Sequence, residues 1–295
     1  MSGAKPVDAA LLRGMPLPKH DGGGSKDVRG SVLVAGGSEE VPGAVLLSGT
    51  AALRAGAGRL RLAICDSMAP ALAVAMPEAR VIGLPRTSEG GIAAAAAAPL
   101  LRYGSQAKAL VLGPGMSGGR EAEALVAALL QELSGPALVL DAAALAPLAG
   151  CREALRRHAG RAVITPHDGE MARLLDIPRE EVLADPLGMA RRAAALLQVV
   201  VIMKGACSRI VTPEGDAWAS DHGNIGLATS GSGDVLSGII AGLLARGATP
   251  LQAAIWAVWV HGEAGHRLAR AQGPVGYLAR ELPAEVPRIL ADLAA

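Results

Sequence analysis

Eight short β-branched or leucine-rich runs recur along this chain, and alanine-rich stretches with helical periodicity separate most of them. The runs lie at 31–35, 59–64, 80–84, 109–112, 137–140, 162–165, 199–204 and 208–212. Helical stretches fall between them at 43–55, 92–103, 119–132, 169–175 and 186–197. Such alternation is the sequence form of strand–helix–strand units. It predicts an α/β fold with a mainly parallel central sheet and helices on both faces. Strands buried on both faces read as continuous apolar runs rather than alternating ones, and these do. Between 199 and 220 two or three strands follow closely, with Glu214-Gly215-Asp216 as their turn, so an antiparallel patch is predicted at one edge. After Asp234 the chain turns helical over 235–245, 250–271 and 279–293. No repeat, linker or shift of composition divides it. The expectation is one domain over 26–295 behind a mobile tail at 1–25, which contains Gly22, Gly23 and Gly24.

Charge and composition exclude several classes. The chain has 28 Lys+Arg against 27 Asp+Glu, no long basic run, two Tyr, three Trp and no Phe for stacking bases, so no nucleic-acid partner is expected. Cys65, Cys151 and Cys207 are too scattered for a disulfide framework or a zinc pattern and read as small buried hydrophobes in a reducing compartment. The N-terminus lacks the apolar core of a signal peptide, and no run reaches the length of a membrane span. A cytoplasmic protein without a membrane partner is expected.

The segment GNIGLATSGSGDVLSGIIAG at 223–242 carries the chemistry. Gly231, Ser232, Gly233 and Asp234 stand directly before an apolar helical run. A helix N-terminus offers unpaired N–H groups and a partial positive charge, and glycine lets a phosphate approach that backbone closely. Asp234 falls in the first turn, where a base could accept a proton from a hydroxyl beside a bound phosphate. The plain alternative is an Asp N-cap after a glycine turn. Three further turns leave strands in the same way: AGGSEEVPGAV at 35–45, LGPGMSGG at 112–119 and ITPHDGE at 164–170, in which Pro166 stops the strand and Asp168 is a candidate N-cap. Ligands of open parallel sheets bind at the carboxyl ends of strands, so four polar turns on one edge favour a phosphoryl-transfer site. Neither a Walker pattern nor a GxGxxG fingerprint occurs.

MKGACS at 203–208 places Lys204 at a strand end before Gly205. Lys204 reads either as a solvated strand-end lysine or as a cation near a nucleotide phosphate. His167 reads as a structural hydrogen-bonder or as a group in the crevice. Asp141, ending ALVLD, either positions a metal or substrate or forms a turn. His261 and His266 are five apart, off the spacing of a helical zinc pair, and no zinc site is expected.

The motifs GGSEEVPGAVLLSGTAALRAGAG, ALVLGPGM, LVLDAAAL, ITPHDGEMARLL, VIMKGA and GNIGLATSGSGDVLSG, in this order over 26–270, resemble those of the ADP-dependent NAD(P)H-hydrate dehydratases. That resemblance implies a ribokinase-like, three-layer α/β/α fold and repair of the S-epimer of hydrated NADH and NADPH. ADP, with ATP as the alternative, would phosphorylate the ring hydroxyl. Phosphate would then be eliminated, leaving AMP, with Mg²⁺ bridging the nucleotide oxygens. The match starts almost at once, leaving no room ahead of it for the family's epimerase companion, so a stand-alone form is expected; the family also suggests a homotetramer.

Carried over motif by motif, Ala44, Gly115, His167 and Asp234 would contact the hydrated dinucleotide. Lys204, Gly205, Ala206, Cys207 and Ser208, with Gly233, would hold the adenine nucleotide. Asp234 would be the base, and Gly231, Ser232 and Gly233 the anion hole. Three positions depart from the family pattern. Val41 replaces an aromatic before Pro-Gly, Ala143 stands where a second Asp is common, and Asp168 replaces a proline. A kinase of a small vitamin precursor shares the glycine turn and Asp before a helix and is the second reading; a catalytically silent nucleotide-sensing protein on this fold is the third.

Overall fold

The structure, a computed structural model, describes residues 3–19 and 25–294. Its strands are β1 Lys5–Pro6, β2 Ser31–Ala35, β3 Arg59–Cys65, β4 Ala79–Leu84, β5 Ala109–Leu112, β6 Ala137–Leu140, β7 Ala162–Ile164, β8 Val200–Met203, β9 Ser208–Val211 and β10 Ala217–Ser220. They form one sheet in the order β1-β10-β9-β8-β7-β6-β5-β2-β3-β4. Every pairing is parallel except β8–β9 and β9–β10. The antiparallel patch thus lies where 199–220 placed it, with Gly215 at φ +90° in the turn between β9 and β10.

The helices are α1 Ala9–Gly14, α2 Gly43–Arg54, α3 Ala69–Ala75, α4 Ala97–Gly104, α5 Arg120–Glu132, α6 Arg152–Arg156, α7 Asp168–Leu175, α8 Arg179–Ala184, α9 Pro186–Leu197, α10 Ser232–Ala245, α11 Pro250–Gln272 and α12 Leu282–Ala294. Successive side chains of a strand point to opposite faces. Accordingly Val32 and Val34 join one core with α2, α10, α11 and α12, while Leu33 and Ala35 join a second with α5, α7 and α9. Three layers result, as the resemblance implied. Among the described residues no helix is long and apolar enough to cross a membrane.

Close packing of α10 on α2 fixes where the glycine turn points. A Cβ at Gly238 would fall 2.2 Å from the Ser48 carbonyl oxygen, and one at Gly242 would fall 2.5 Å from that of Ala52. Only glycine permits this approach, and the two glycines, four apart, share one helix face.

Residues 3–19 are packed, not a mobile tail. Lys5 and Pro6 pair with Trp218 and Ala219, Leu12 is fully buried, and the Met15 carbonyl accepts from Trp256 Nε1 at 2.9 Å. A two-residue strand has no periodicity to read, which is why the sequence hid it. The rest of the expected tail, residues 1–2 and 20–24, lies outside the described residues. Cys65 is buried, whereas Cys151 and Cys207 are half-buried, unlike the expectation. The helix expected at 92–103 opens as a 3₁₀ turn, Ala94–Ala96, before α4.

Candidate active site

Because β2 to β8 run parallel, the turns after Ala35, Cys65, Leu84, Leu112, Leu140, Ile164 and Met203 all leave one edge of the sheet. β10 ends on that edge too, since it runs antiparallel to β9, and delivers 221–231 to the start of α10. All four turns therefore meet. The Gly37 amide donates to the Pro114 carbonyl at 2.7 Å, and the Lys204 amide donates to that of Pro166 at 2.8 Å.

Gly231 precedes α10 in the left-handed region at φ +88°, which turns the chain sharply into Ser232, Gly233 and Asp234. The Ser232 amide, expected to belong to the anion hole, instead turns back onto the Thr229 carbonyl at 3.3 Å. Gly233 and Asp234 are thus first-turn residues whose amides have no intrahelical acceptor. Asp234 is half-buried, and its carbonyl is fixed by two hydroxyls: Ser48 Oγ donates at 2.8 Å and Ser237 Oγ at 2.9 Å. Burial, reinforced by the neighbouring Asp141 charge and opposed by Lys204, raises its carboxyl pKa to about 6. A carboxylate with a pKa near the working pH is suited to general-base chemistry.

Lys204 is not a solvated strand-end lysine. Its Nζ lies 2.9 Å from Asp141 Oδ1 and 3.6 Å from Glu170 Oε2. Burial opposes its charge, but Asp141 and Glu170 outweigh that, and the Lys204 pKa is raised. A Cβ at Gly233 would stand 3.7 Å from Lys204 Nζ and 3.9 Å from Asp141 Oδ2, so the pair lies directly against the turn. Asp141 is followed by Ala142 at φ +49°, a left-handed conformation that costs an L-residue roughly 1–2 kcal/mol. This strained corner turns the chain off β6 beside the site.

His167, not Asp168, caps α7. Its Nδ1 accepts from the Gly169 amide at 3.0 Å and the Glu170 amide at 3.3 Å, while Glu170 accepts from the His167 amide at 2.8 Å. A histidine here takes the usual Ser or Thr role in a capping box. Asp168 is instead the first residue of α7: its Oδ1 accepts from the Gly169 amide at 2.7 Å, its Oδ2 accepts from Arg179 Nη2 at 2.7 Å and Nε at 3.0 Å, and the Arg179 hydrogen bond, foremost, lowers its pKa. The imidazole remains exposed beside Glu170 and hence beside Lys204.

Ala44 is buried one turn before Ser48, and a Cβ at Gly115 (φ +64°) would fall 2.7 Å from Ala44 Cβ. Ala44, Gly115, His167, Lys204, Gly231, Ser232, Gly233 and Asp234 are thereby linked along one edge. Gly205 and Ala206 are exposed there, with Cys207 and Ser208 half-buried; among the described residues these four make no hydrogen bond or ion pair with Asp234.

The family model for NAD(P)H-hydrate dehydratase matches residues 32–288. The chain belongs to the NAD(P)H-hydrate dehydratase family. An ADP-dependent (S)-NAD(P)H-hydrate dehydratase of Xanthomonas campestris is 48% identical over 285 residues, covering 96% of this chain and 95% of that one. A bifunctional NAD(P)H-hydrate repair enzyme of Moorella thermoacetica is 39% identical, over 94% of this chain but 52% of its own length. Among solved structures, the ADP/ATP-dependent NAD(P)H-hydrate dehydratase of Bacillus subtilis co-crystallised with ATP/Mg²⁺ superposes with a TM-score of 0.81 at 27% identity, covering 99% of this chain and 100% of that one.

The three positions read from the sequence as departures from the family pattern lie in turns or at the first residue of a helix. Val41 is half exposed and Asp168 is tied to Arg179. Ala143 sits in the 3₁₀ turn Ala142–Ala144 after Asp141. Three supporting residues, Glu170, Ser48 and Ser237, are not singled out by the sequence, and His261 figures there only as too far from His266 for a zinc pair. A capping-box spacing from His167 signals Glu170. Ser48 and His261 carry no local signal, because their partners lie 186 and 29 residues away, and the three-residue spacing of Ser237 from Asp234 is one any helix serine can have.

Proposed function

We propose that this protein is the nucleotide-dependent dehydratase of the S-epimer of hydrated NADH and NADPH. One observation carries the reading: a carboxylate with a pKa near 6 in the first turn of α10, against a glycine turn and a buried lysine. Asp234 takes the proton of the ring hydroxyl, whose oxygen attacks the terminal phosphorus of ADP and releases AMP. The Gly233 and Asp234 amides face the transferring phosphoryl group, which they stabilise as charge develops. Phosphate is a far better leaving group than hydroxide; the adjacent ring nitrogen expels it, and loss of a neighbouring proton restores the dihydronicotinamide. His167, Ala44 and Gly115 line the dinucleotide side, while Lys204 to Ser208 line the nucleotide side.

Hard oxygen donors suit magnesium, which is commonly held by one or two carboxylates and substrate phosphates. Asp234 and Asp141 are the carboxylates beside the turn, and among the described residues no group of three His, Cys, Asp or Glu converges as a protein-only cage. This fits an ion carried on the nucleotide, where it supplies charge neutralisation. We further propose a cytoplasmic homotetramer. Trp256 belongs to the core of the single chain.

The test is to incubate the protein with NADH hydrate, Mg²⁺ and either ADP or ATP, following dihydronicotinamide absorbance and free phosphate together. Equal recovery of NADH and phosphate is expected. A stable phosphorylated dinucleotide, or nucleotide loss without NADH, would assign the chain to the vitamin-precursor kinases instead.

A further inference from the structure

His261 projects from α11 between buried Val260 and Gly262, a surrounding in which an imidazole needs a reason to be present. Its Nε2 lies 3.0 Å from Ser232 Oγ and 3.1 Å from the Ser232 carbonyl oxygen. A carbonyl only accepts, so Nε2 carries the proton and donates to it. Burial, with a contribution from Lys204, lowers the His261 pKa to about 4, which keeps the ring neutral and leaves Nδ1 bare. One N–H therefore grips both oxygens of a single residue.

That residue is the first of α10. Its amide is committed to Thr229, so Ser232 is pinned at its amide, carbonyl and hydroxyl. Gly231 on one side has no side chain to hold it, and neither does Gly233 on the other. A glycine–serine–glycine turn is otherwise the most pliable backbone in the site. Pre-aimed donors stabilise a transition state only while their direction is fixed.

We propose that His261 is a positioning residue for phosphoryl transfer: it clamps Ser232 from behind and fixes the direction in which the Gly233 and Asp234 amides face. This rests on the phosphoryl-transfer reading given above. It also explains a histidine that belongs to no metal site.

The test compares His261→Leu, which fills the space without a donor, with His261→Gln, which retains a side-chain N–H. In the NADH-restoration assay kcat of His261→Leu is expected to fall about 10- to 100-fold, less than the loss of a whole oxyanion donor, with a smaller change in nucleotide KM. His261→Gln should recover much of that loss, although its Tm should not exceed that of the Leu variant. Ser232→Ala removes the hydroxyl contact and keeps the carbonyl one, so it should lower kcat several-fold, and adding it to His261→Leu, which removes both, should add little. Equal losses in the Leu and Gln variants, unchanged kcat in both, or additive losses in the double variant would overturn the clamp. Long-range ¹H–¹⁵N spectra of the wild-type protein decide its geometry without turnover. A neutral Nε2–H ring for His261 between about pH 6 and 8 is expected, and an Nδ1–H ring or an imidazolium there contradicts it. If the wild type restores no NADH, the functional reading falls by itself and the spectrum still judges the clamp.

Discussion

Lys204 Nζ sits 2.9 Å from Asp141 Oδ1, so the site's lysine is already held by a protein carboxylate that is itself almost fully buried. The pair is built from the ends of β6 and β8, two strands that are not neighbours, with β7 between them. A nucleotide phosphate reaching Lys204 meets a cation whose direction is set in advance.

Removing the lysine alone should therefore do two things. Lys204→Ala should raise the nucleotide KM about tenfold or more, as expected for a lost charged hydrogen bond. It should also lower stability by ~3 kcal/mol, because Asp141 is left as a buried, uncompensated charge. Adding Asp141→Asn should restore much of the Tm but none of the nucleotide affinity. Thermal unfolding and steady-state kinetics on the three proteins separate the two effects, and an unchanged KM in Lys204→Ala would leave the residue a purely structural role.

Asp234→Asn should lower turnover by about 10²–10⁴-fold while nucleotide binding persists, since the carboxylate acts on a proton and the amides of the turn are unaltered. Binding measured by calorimetry with ADP, beside the turnover assay, checks this. Activity close to wild type would remove Asp234 as the base.

The pH dependence follows from the same carboxyl. As a base Asp234 must be ionised, so kcat/KM should fall below about pH 6. Asp141→Asn removes one of the causes of the raised pKa and should move that limb to lower pH. For stability the sign is opposite to that of an ordinary paired aspartate. The folded state binds the proton more tightly than the unfolded one, so the contribution is favourable below the unfolded pKa and is lost as pH rises through about 6. Asp234→Asn should accordingly raise Tm at about pH 8 relative to wild type, with the difference shrinking toward about pH 4. Matched melting curves across that window test the sign.

A truncation lacking residues 1–19 should melt several degrees lower than the intact chain. It loses buried Leu12, the β1–β10 pairing and the carbonyl that satisfies Trp256 Nε1. An unburied Leu costs about 1.5–3 kcal/mol on its own. Equal melting temperatures would mean that the segment only lies on the surface.

Much of this was legible because parallel strands and amphipathic helices are written locally. The runs at 31–35, 109–112 and 137–140 match β2, β5 and β6 end for end, and the helix at 186–197 matches α9. α1, α3, α6 and α8 are not legible in the sequence; they are short, and each contributes a single buried residue. At the site, Asp234 and the glycine turn announced themselves by spacing, whereas the partners of Lys204 did not. Asp141 lies 63 residues away, and no periodicity relates the two. The spacing of His261 from His266 argues only against zinc, and nothing in a sequence states that two oxygens of Ser232 will face it across 29 residues. That His167 rather than Asp168 caps α7 follows from where the helix starts: its cap lies one residue earlier than the sequence predicts.

The N-terminal segment has a further consequence, for the order in which the molecule is completed. Pro6 pairs with Ala219, and Met15 accepts from Trp256, 241 residues later. During synthesis residues 5–15 must wait, without this surface to rest on, until α11 has left the ribosome. Doubling such a loop costs only about 0.6 kcal/mol, so the delay is one of time rather than of stability. A segment made 241 residues before its partner is seated late, and its docking closes the flank of the sheet that carries β10.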